Sequence, residues 1–95
     1  MRIVRINNQI EALEILKKIG VDPYGVTAMS QKTRHLNILL TARQCKVANI
    51  IKQEMLSLGA DAAVARGTVA CSIDRTDVLL MGTLKQLSAL QEKLK

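Results

Sequence analysis

The stretch 77–86 constrains the fold of this chain more than any other. Residues 78–81 form an unbroken apolar run, Val-Leu-Leu-Met, after a polar turn, which is typical of a strand buried on both faces. Gly82 lets the backbone turn sharply, and Thr83 followed three residues later by Gln86 has the pattern of a helix capping box. The stretch therefore predicts a central strand, a covering helix, and other elements packed around this pair.

Hydrophobic periodicity predicts the remaining elements. The apolar spacing indicates strands at residues 2–6, 35–40 and 61–66, and helices at 9–19, 42–58 and 84–95,. Asn8 with Glu11, and Thr41 with Gln44, have the spacing of two further capping boxes.

Two connections are less regular. Residues 22–25, Asp-Pro-Tyr-Gly, have the signature of a type I turn,, and a short helix at 26–29 remains an alternative there. Residues 67–73 are compatible with a loop or with a short extra strand.

The element order β-α-β-α-β-β-α predicts an α+β fold. We expect a two-layer sandwich in which three helices cover one face of a mixed, roughly four-stranded sheet, and a ferredoxin-like permutation fits this order. The 95 residues predict a single domain, 1–95, which is large enough to bury a modest core without disulfides or metal.

The two cysteines and the N-terminus bear on location. Cys45 and Cys71 form no C-x-x-C pair; a disulfide between them is left open, but reduced thiols in a cytoplasmic protein are the favoured interpretation. Arg2 and Arg5 interrupt the first apolar stretch, so it does not have the core of a signal peptide. No stretch approaches the ~20 apolar residues of a membrane span.

No pattern of catalytic residues emerges. His35 is the only histidine, and nothing in the sequence supplies the third group that would orient it against Cys45 or Cys71. No metal-ligand spacing, P-loop or G-x-G-x-x-G occurs. We therefore predict no catalytic, cofactor-binding or metal-binding residue and no cofactor; a small stand-alone enzyme using Cys71 or His35 is the weakest hypothesis.

The net charge of +6 favours acidic partners. The only anion-site candidate is the predicted helix start formed by Gly82, Thr83 and Lys85, where backbone N–H groups and the lysine could hold a phosphate; a plain helix cap explains the same residues. The alternative function is thus a small basic phosphate- or nucleic-acid-binding module. Nucleic acid is disfavoured, because only Tyr24 could stack on a base.

Four long segments carry a family resemblance: residues 20–25 (GVDPYG), 49–59 (NIIKQEMLSLG), 61–67 (DAAVARG) and 77–86 (DVLLMGTLKQ). In this order and spacing they resemble the N-terminal region that precedes the catalytic barrel in some bacterial dihydropteroate synthases. The resemblance extends over nearly the whole chain.

The resemblance implies a function that the residues alone do not. Dihydropteroate synthases join p-aminobenzoate to a dihydropterin pyrophosphate in folate biosynthesis, on a TIM barrel that needs about 250 residues. The family's barrel signature is absent from this chain, so no catalytic residue is carried over. The resemblance therefore implies a non-catalytic accessory or assembly domain of a transferase, whose partner is the C-terminal barrel or a second copy of the chain.

Overall fold

The chain folds into four helices and a three-stranded sheet, in a computed structural model that describes residues 1–95. The fold is α+β, as predicted. The elements, in order, are α1 (Gln9–Ile19), α2 (Pro23–Thr33), β1 (His35–Gln44), α3 (Cys45–Ser57), β2 (Asp61–Val64), β3 (Arg75–Thr83) and α4 (Leu84–Lys93). None of the helices has the length and hydropathy needed to cross a membrane.

The sheet is antiparallel with strand order β1-β3-β2, so the apolar run 78–81 does lie in the central strand. Leu80 is paired with Ile38 on one side and with Ala62 on the other. The capping box at the start of α4 is confirmed: the Thr83 hydroxyl accepts the Gln86 N–H, and the Gln86 side chain accepts the Thr83 N–H. The strand and the helix that follows it thus form the centre of the fold.

The core lies between one face of this sheet and the helices α3 and α4. Because side chains alternate along a strand, Val78 and Leu80 point into this layer. They pack there with residues of α3, β2 and α4: Ala48, Ile51, Met55, Ala62, Leu87 and Leu90. The prediction that β3 is buried on both faces is wrong, since Leu79 and Met81 on its other face are only half-buried.

The predicted first strand is absent. Residues 2–6 do not join the sheet, and the side chains of Met1 and Ile3 are almost fully exposed. The sheet is therefore three-stranded and wholly antiparallel rather than mixed and roughly four-stranded, and it lacks the fourth strand of a ferredoxin-like permutation. The physical reason is that high β-propensity does not supply a partner strand.

The predicted turn at 22–25 forms, with the Gly25 N–H donating to the Asp22 carbonyl at 2.9 Å, but it is the first turn of a full helix. The Asp22 side chain accepts the Tyr24 N–H, and Pro23 occupies the first turn of α2, where a missing N–H does no harm. A type I turn and the first turn of a helix have similar dihedral angles, so the sequence pattern fits both. Helix α1 is capped at its ends by Asn8 and Gly20 (φ 90°), as predicted. It packs mainly on α2.

The predicted capping box of Thr41 and Gln44 does not form. Strand β1 continues to Gln44 through a bulge, and α3 begins at Cys45 without a side-chain cap. The bulge is held from β3: the Asp77 carboxylate accepts the Ala42 N–H at 2.9 Å. Ala42 there has a φ of 52°, which lies in the left-handed region.

Cys45 and Cys71 are joined by a disulfide, with their Cα atoms 5.5 Å apart. The interpretation as reduced thiols is therefore wrong for this structure. The segment 65–74 is a loop, without an extra strand, that folds back on the start of α3. Asn49 Nδ2 donates to the Thr68 carbonyl at 3.0 Å and the Cys45 N–H donates to the Asp74 carbonyl at 2.9 Å, so this folding brings the two thiols together.

Candidate functional site: the open face of the sheet

The face of the sheet that lies away from α3 and α4 has no covering layer. Strand register places five side chains side by side there, and we call them the open face: Asn37, Leu39, Ala63, Leu79 and Met81. Leu39 pairs with Leu79, which pairs in turn with Ala63 on the third strand. The result is an apolar row that crosses the whole sheet.

The open face is exposed to solvent and has a polar rim. Leu39 is 60% exposed, although leucine in a sheet is usually buried. Asp61 lies opposite Met81, and His35 lies opposite Thr83 at the same end of the sheet. An exposed apolar patch rimmed by polar groups is typical of a surface that contacts another protein.

A cavity of about 650 Å³ lies at that end of the open face. His35, Asn37 and Asp61 contribute polar groups to it, beside Met81 and Thr83. Nowhere in the chain do three His, Cys, Asp or Glu side chains lie close enough to hold a metal ion. Cys45 and Cys71 are both in the disulfide, so neither thiol is free to act with His35 as a nucleophile.

A second apolar surface, here called the groove, lies on the helix side of β1. It has a volume of about 400 Å³ and is formed mainly by Leu36, Ile38 and Leu40 of β1 together with leucines of α4. The alternation of apolar residues along 35–40 correctly predicts that these three side chains share a face. Sequence gives no sign that the face stays partly uncovered, because that depends on β1 being an edge strand.

The predicted anion-site residues Gly82, Thr83 and Lys85 come together at the start of α4. Three of the four N–H groups from Thr83 to Gln86 already donate within the protein. The backbone N–H groups of Thr83 and Gln86 each donate to the other residue's side chain. The Leu84 N–H donates to the Arg34 carbonyl at 2.8 Å. Lys85 shares a cavity of about 440 Å³ with Lys32, which sequence spacing did not suggest. The anion site stays a prediction.

The chain is similar in sequence to a probable bifunctional folylpolyglutamate synthase/dihydropteroate synthase of Halobacterium salinarum. The two are 36% identical over 84 residues. The matched part is 88% of this chain and 10% of that protein, so the chain spans about a tenth of the length of this curated relative. No family model and no solved structure matches the chain. The relative's name includes dihydropteroate synthase, the family that the sequence resembles.

Proposed function

We propose that this chain is a non-catalytic accessory domain of a dihydropteroate synthase, lying N-terminal to its TIM barrel. The complete enzyme would condense p-aminobenzoate with dihydropterin pyrophosphate, with all of its catalytic residues on the barrel. The domain would need no cofactor of its own and would assist assembly by docking. The observation that carries the proposal is the open face, an apolar surface that crosses all three strands.

The architecture supports docking through this face. Helices and sheets are stable when their apolar faces are covered by another layer. Here α3 and α4 cover one face of the sheet, whereas Leu39, Leu79 and Met81 on the other lack a cover. Apolar burial contributes about 25 cal/mol per Å², so covering these side chains with a partner would stabilise the complex.

Two further observations are compatible with docking inside a larger protein. The H. salinarum relative is about ten times longer than the matched segment. This difference in length is expected if the segment is one domain of a larger protein. The domain also has a net charge of +6, which attracts an acidic protein surface.

The test is to mix the chain with the isolated catalytic domain of a dihydropteroate synthase. Light scattering should detect a complex, and the synthase rate should change when the complex forms. Leu39→Asp should abolish both effects, because it places a charge in the apolar row of the open face,. Leu56→Asp is the matched control, since Leu56 is also exposed (47%) but lies on α3. The proposal fails if no complex forms or if the two variants behave alike.

The phosphate-binding alternative is supported by Lys32 and Lys85 lining one cavity. It ranks second because the N–H groups that would grip a phosphate are largely used in the helix cap. Titration with inorganic phosphate at low and high salt tests it. Binding that weakens steeply with salt and is lost in Lys85→Ala would favour this function over docking.

A further inference from the structure

We propose that two copies of this chain associate by strand exchange, in which residues 1–6 of each copy pair with the free edge of β1 in the other. The structure contains two elements that lack a partner and that would form this interface. One half is an exposed apolar segment with the composition of a strand, and the other is an edge strand beside an apolar groove. This dimer would form whether or not a catalytic domain is bound.

The segment has the features of an unpaired strand. Residues 1–6, MRIVRI, are rich in Ile and Val, which favour extended structure. Met1 and Ile3 are almost fully exposed and Val4 is 47% exposed. Leaving three neighbouring apolar side chains in water is unfavourable, so the segment gains by binding an apolar surface.

The free edge of β1 is a matching acceptor. Strand order β1-β3-β2 leaves the outer side of β1 without a partner, so every second residue there presents an N–H and a C=O to solvent. Six residues, His35 to Leu40, precede the bulge. This run equals the segment in length, since six extended residues span about 20 Å.

The groove continues the match beyond the backbone. In an extended segment, Val4 and Ile6 lie on one face, because side chains alternate. Placed at the edge of β1, these two residues extend the row of Leu36, Ile38 and Leu40 over the groove. Ile3 and Met1 then lie on the opposite face of the sheet, beside Leu39 of the open face.

The segment's own position favours exchange over pairing within one molecule. It folds back along α1, since Arg2 lines a surface cavity with Glu11, Glu14 and Lys18. Two hydrogen bonds hold the start of α1: the Asn7 N–H donates to Glu11 Oε2 at 2.8 Å, and Gln9 Nε2 donates to Ser30 Oγ at 2.9 Å. The segment thus lies along α1 and does not pair with its own β1. The side chains of Met1, Ile3 and Val4 are exposed, so a second molecule can reach them.

Sedimentation equilibrium of the whole chain tests the association. We expect a reversible dimer of the 10.4 kDa chain, with a Kd on the order of 100 µM for a contact of this small size. Val4→Asp should raise the Kd at least about tenfold, because it places a charge against the groove. Val69→Asp is the matched control and should change the Kd less than about twofold, since Val69 is an exposed valine in the loop 65–74.

Methyl NMR of a dimer made from two differently labelled copies tests the exchange itself. The proposal predicts contacts between Val4 of one copy and Ile38 of the other. A chain that stays monomeric to about 1 mM, a dimer that tolerates Val4→Asp, or contacts within one copy alone would each overturn it. Binding of the catalytic domain to the groove in place of residues 1–6 would also overturn it. Ala63→Asp separates this inference from the proposed function, because Ala63 lies on the open face but on β2, at the sheet edge opposite β1. It should weaken catalytic-domain binding and leave the dimer intact.

Discussion

The contacts of Gln86 predict that this residue stabilises the fold more than an ordinary helix-cap residue. Its Oε1 accepts the Thr83 N–H at 2.9 Å, as part of the capping box. Its Nε2 donates to the Leu58 carbonyl at 3.1 Å, just beyond the end of α3. One side chain therefore caps α4 and also ties it to α3.

The expected magnitudes follow from these bonds. Thr83→Ala removes one cap interaction and should lower the free energy of unfolding by about 1 kcal/mol. Gln86→Ala removes two half-buried hydrogen bonds and leaves the Thr83 N–H and the Leu58 carbonyl unpaired, so it should lower that free energy by about 2 kcal/mol. The double variant should lose less than the sum by about 0.5 kcal/mol or more, because the two residues share the box.

Gln86→Glu is the control that separates the two bonds. A carboxylate still accepts the Thr83 N–H and is favourable in the first turn of a helix. It cannot donate to the Leu58 carbonyl, so the variant should lose about 1 kcal/mol. Urea unfolding followed by far-UV circular dichroism measures all four variants. The double role of Gln86 would be contradicted if Gln86→Ala lowered the free energy of unfolding no more than Thr83→Ala does, or if Gln86→Glu were as stable as the wild type.

Three further predictions concern stability. Met55→Ala, at a fully buried site, should lower the free energy of unfolding, measured in urea, by about 2–5 kcal/mol. A loss no larger than that of Met29→Ala, at an exposed methionine, would contradict the position of Met55 in the core. Ala42→Gly should raise the free energy of unfolding by about 0.5–1 kcal/mol, because glycine adopts the left-handed conformation of this residue (φ 52°) without strain, and this outweighs the greater entropy of the unfolded glycine chain. Ala42→Val should lower the free energy of unfolding, and thermal unfolding measures the sign of both changes. Reducing the Cys45–Cys71 disulfide, whose cysteines are 26 residues apart, should lower the stability by about 3.5 kcal/mol; a thiol count that finds free cysteines before reduction would contradict the pairing.

The elements that the sequence predicts well are those fixed by neighbouring residues. Asn8 and Gly20 cap the two ends of helix α1, and the box of Thr83 and Gln86 caps the start of α4. In each case the cap and the apolar stripe lie within a few residues of one another. The α+β class follows from the same local patterns.

The predictions that failed depend on partners distant in sequence. Thr41 and Gln44 have the spacing of a capping box, but Asp77 holds the backbone of Ala42 in a bulge from 35 residues away. Residues 2–6 have the composition of a strand and no partner within the molecule.

The candidate site was beyond prediction for a related reason. The sequence indicates that residues 78–81 lie in a strand, and an unbroken apolar run is typical of burial on both faces. The structure covers only the side of Val78 and Leu80, so Leu79 and Met81 are left for the open face. Which face of a sheet is covered depends on how many helices pack on it, and local patterns do not specify that number.

We propose that the open face is the surface through which this chain contacts a dihydropteroate synthase. The most direct measurement is a titration of the methyl-labelled chain with the isolated catalytic domain, followed by NMR. The methyl signals of Leu39, Leu79 and Met81 should shift or broaden together, while that of Leu56 on α3 should not change. Signals that all stay in place, or changes confined to the helical side of the molecule, would contradict it.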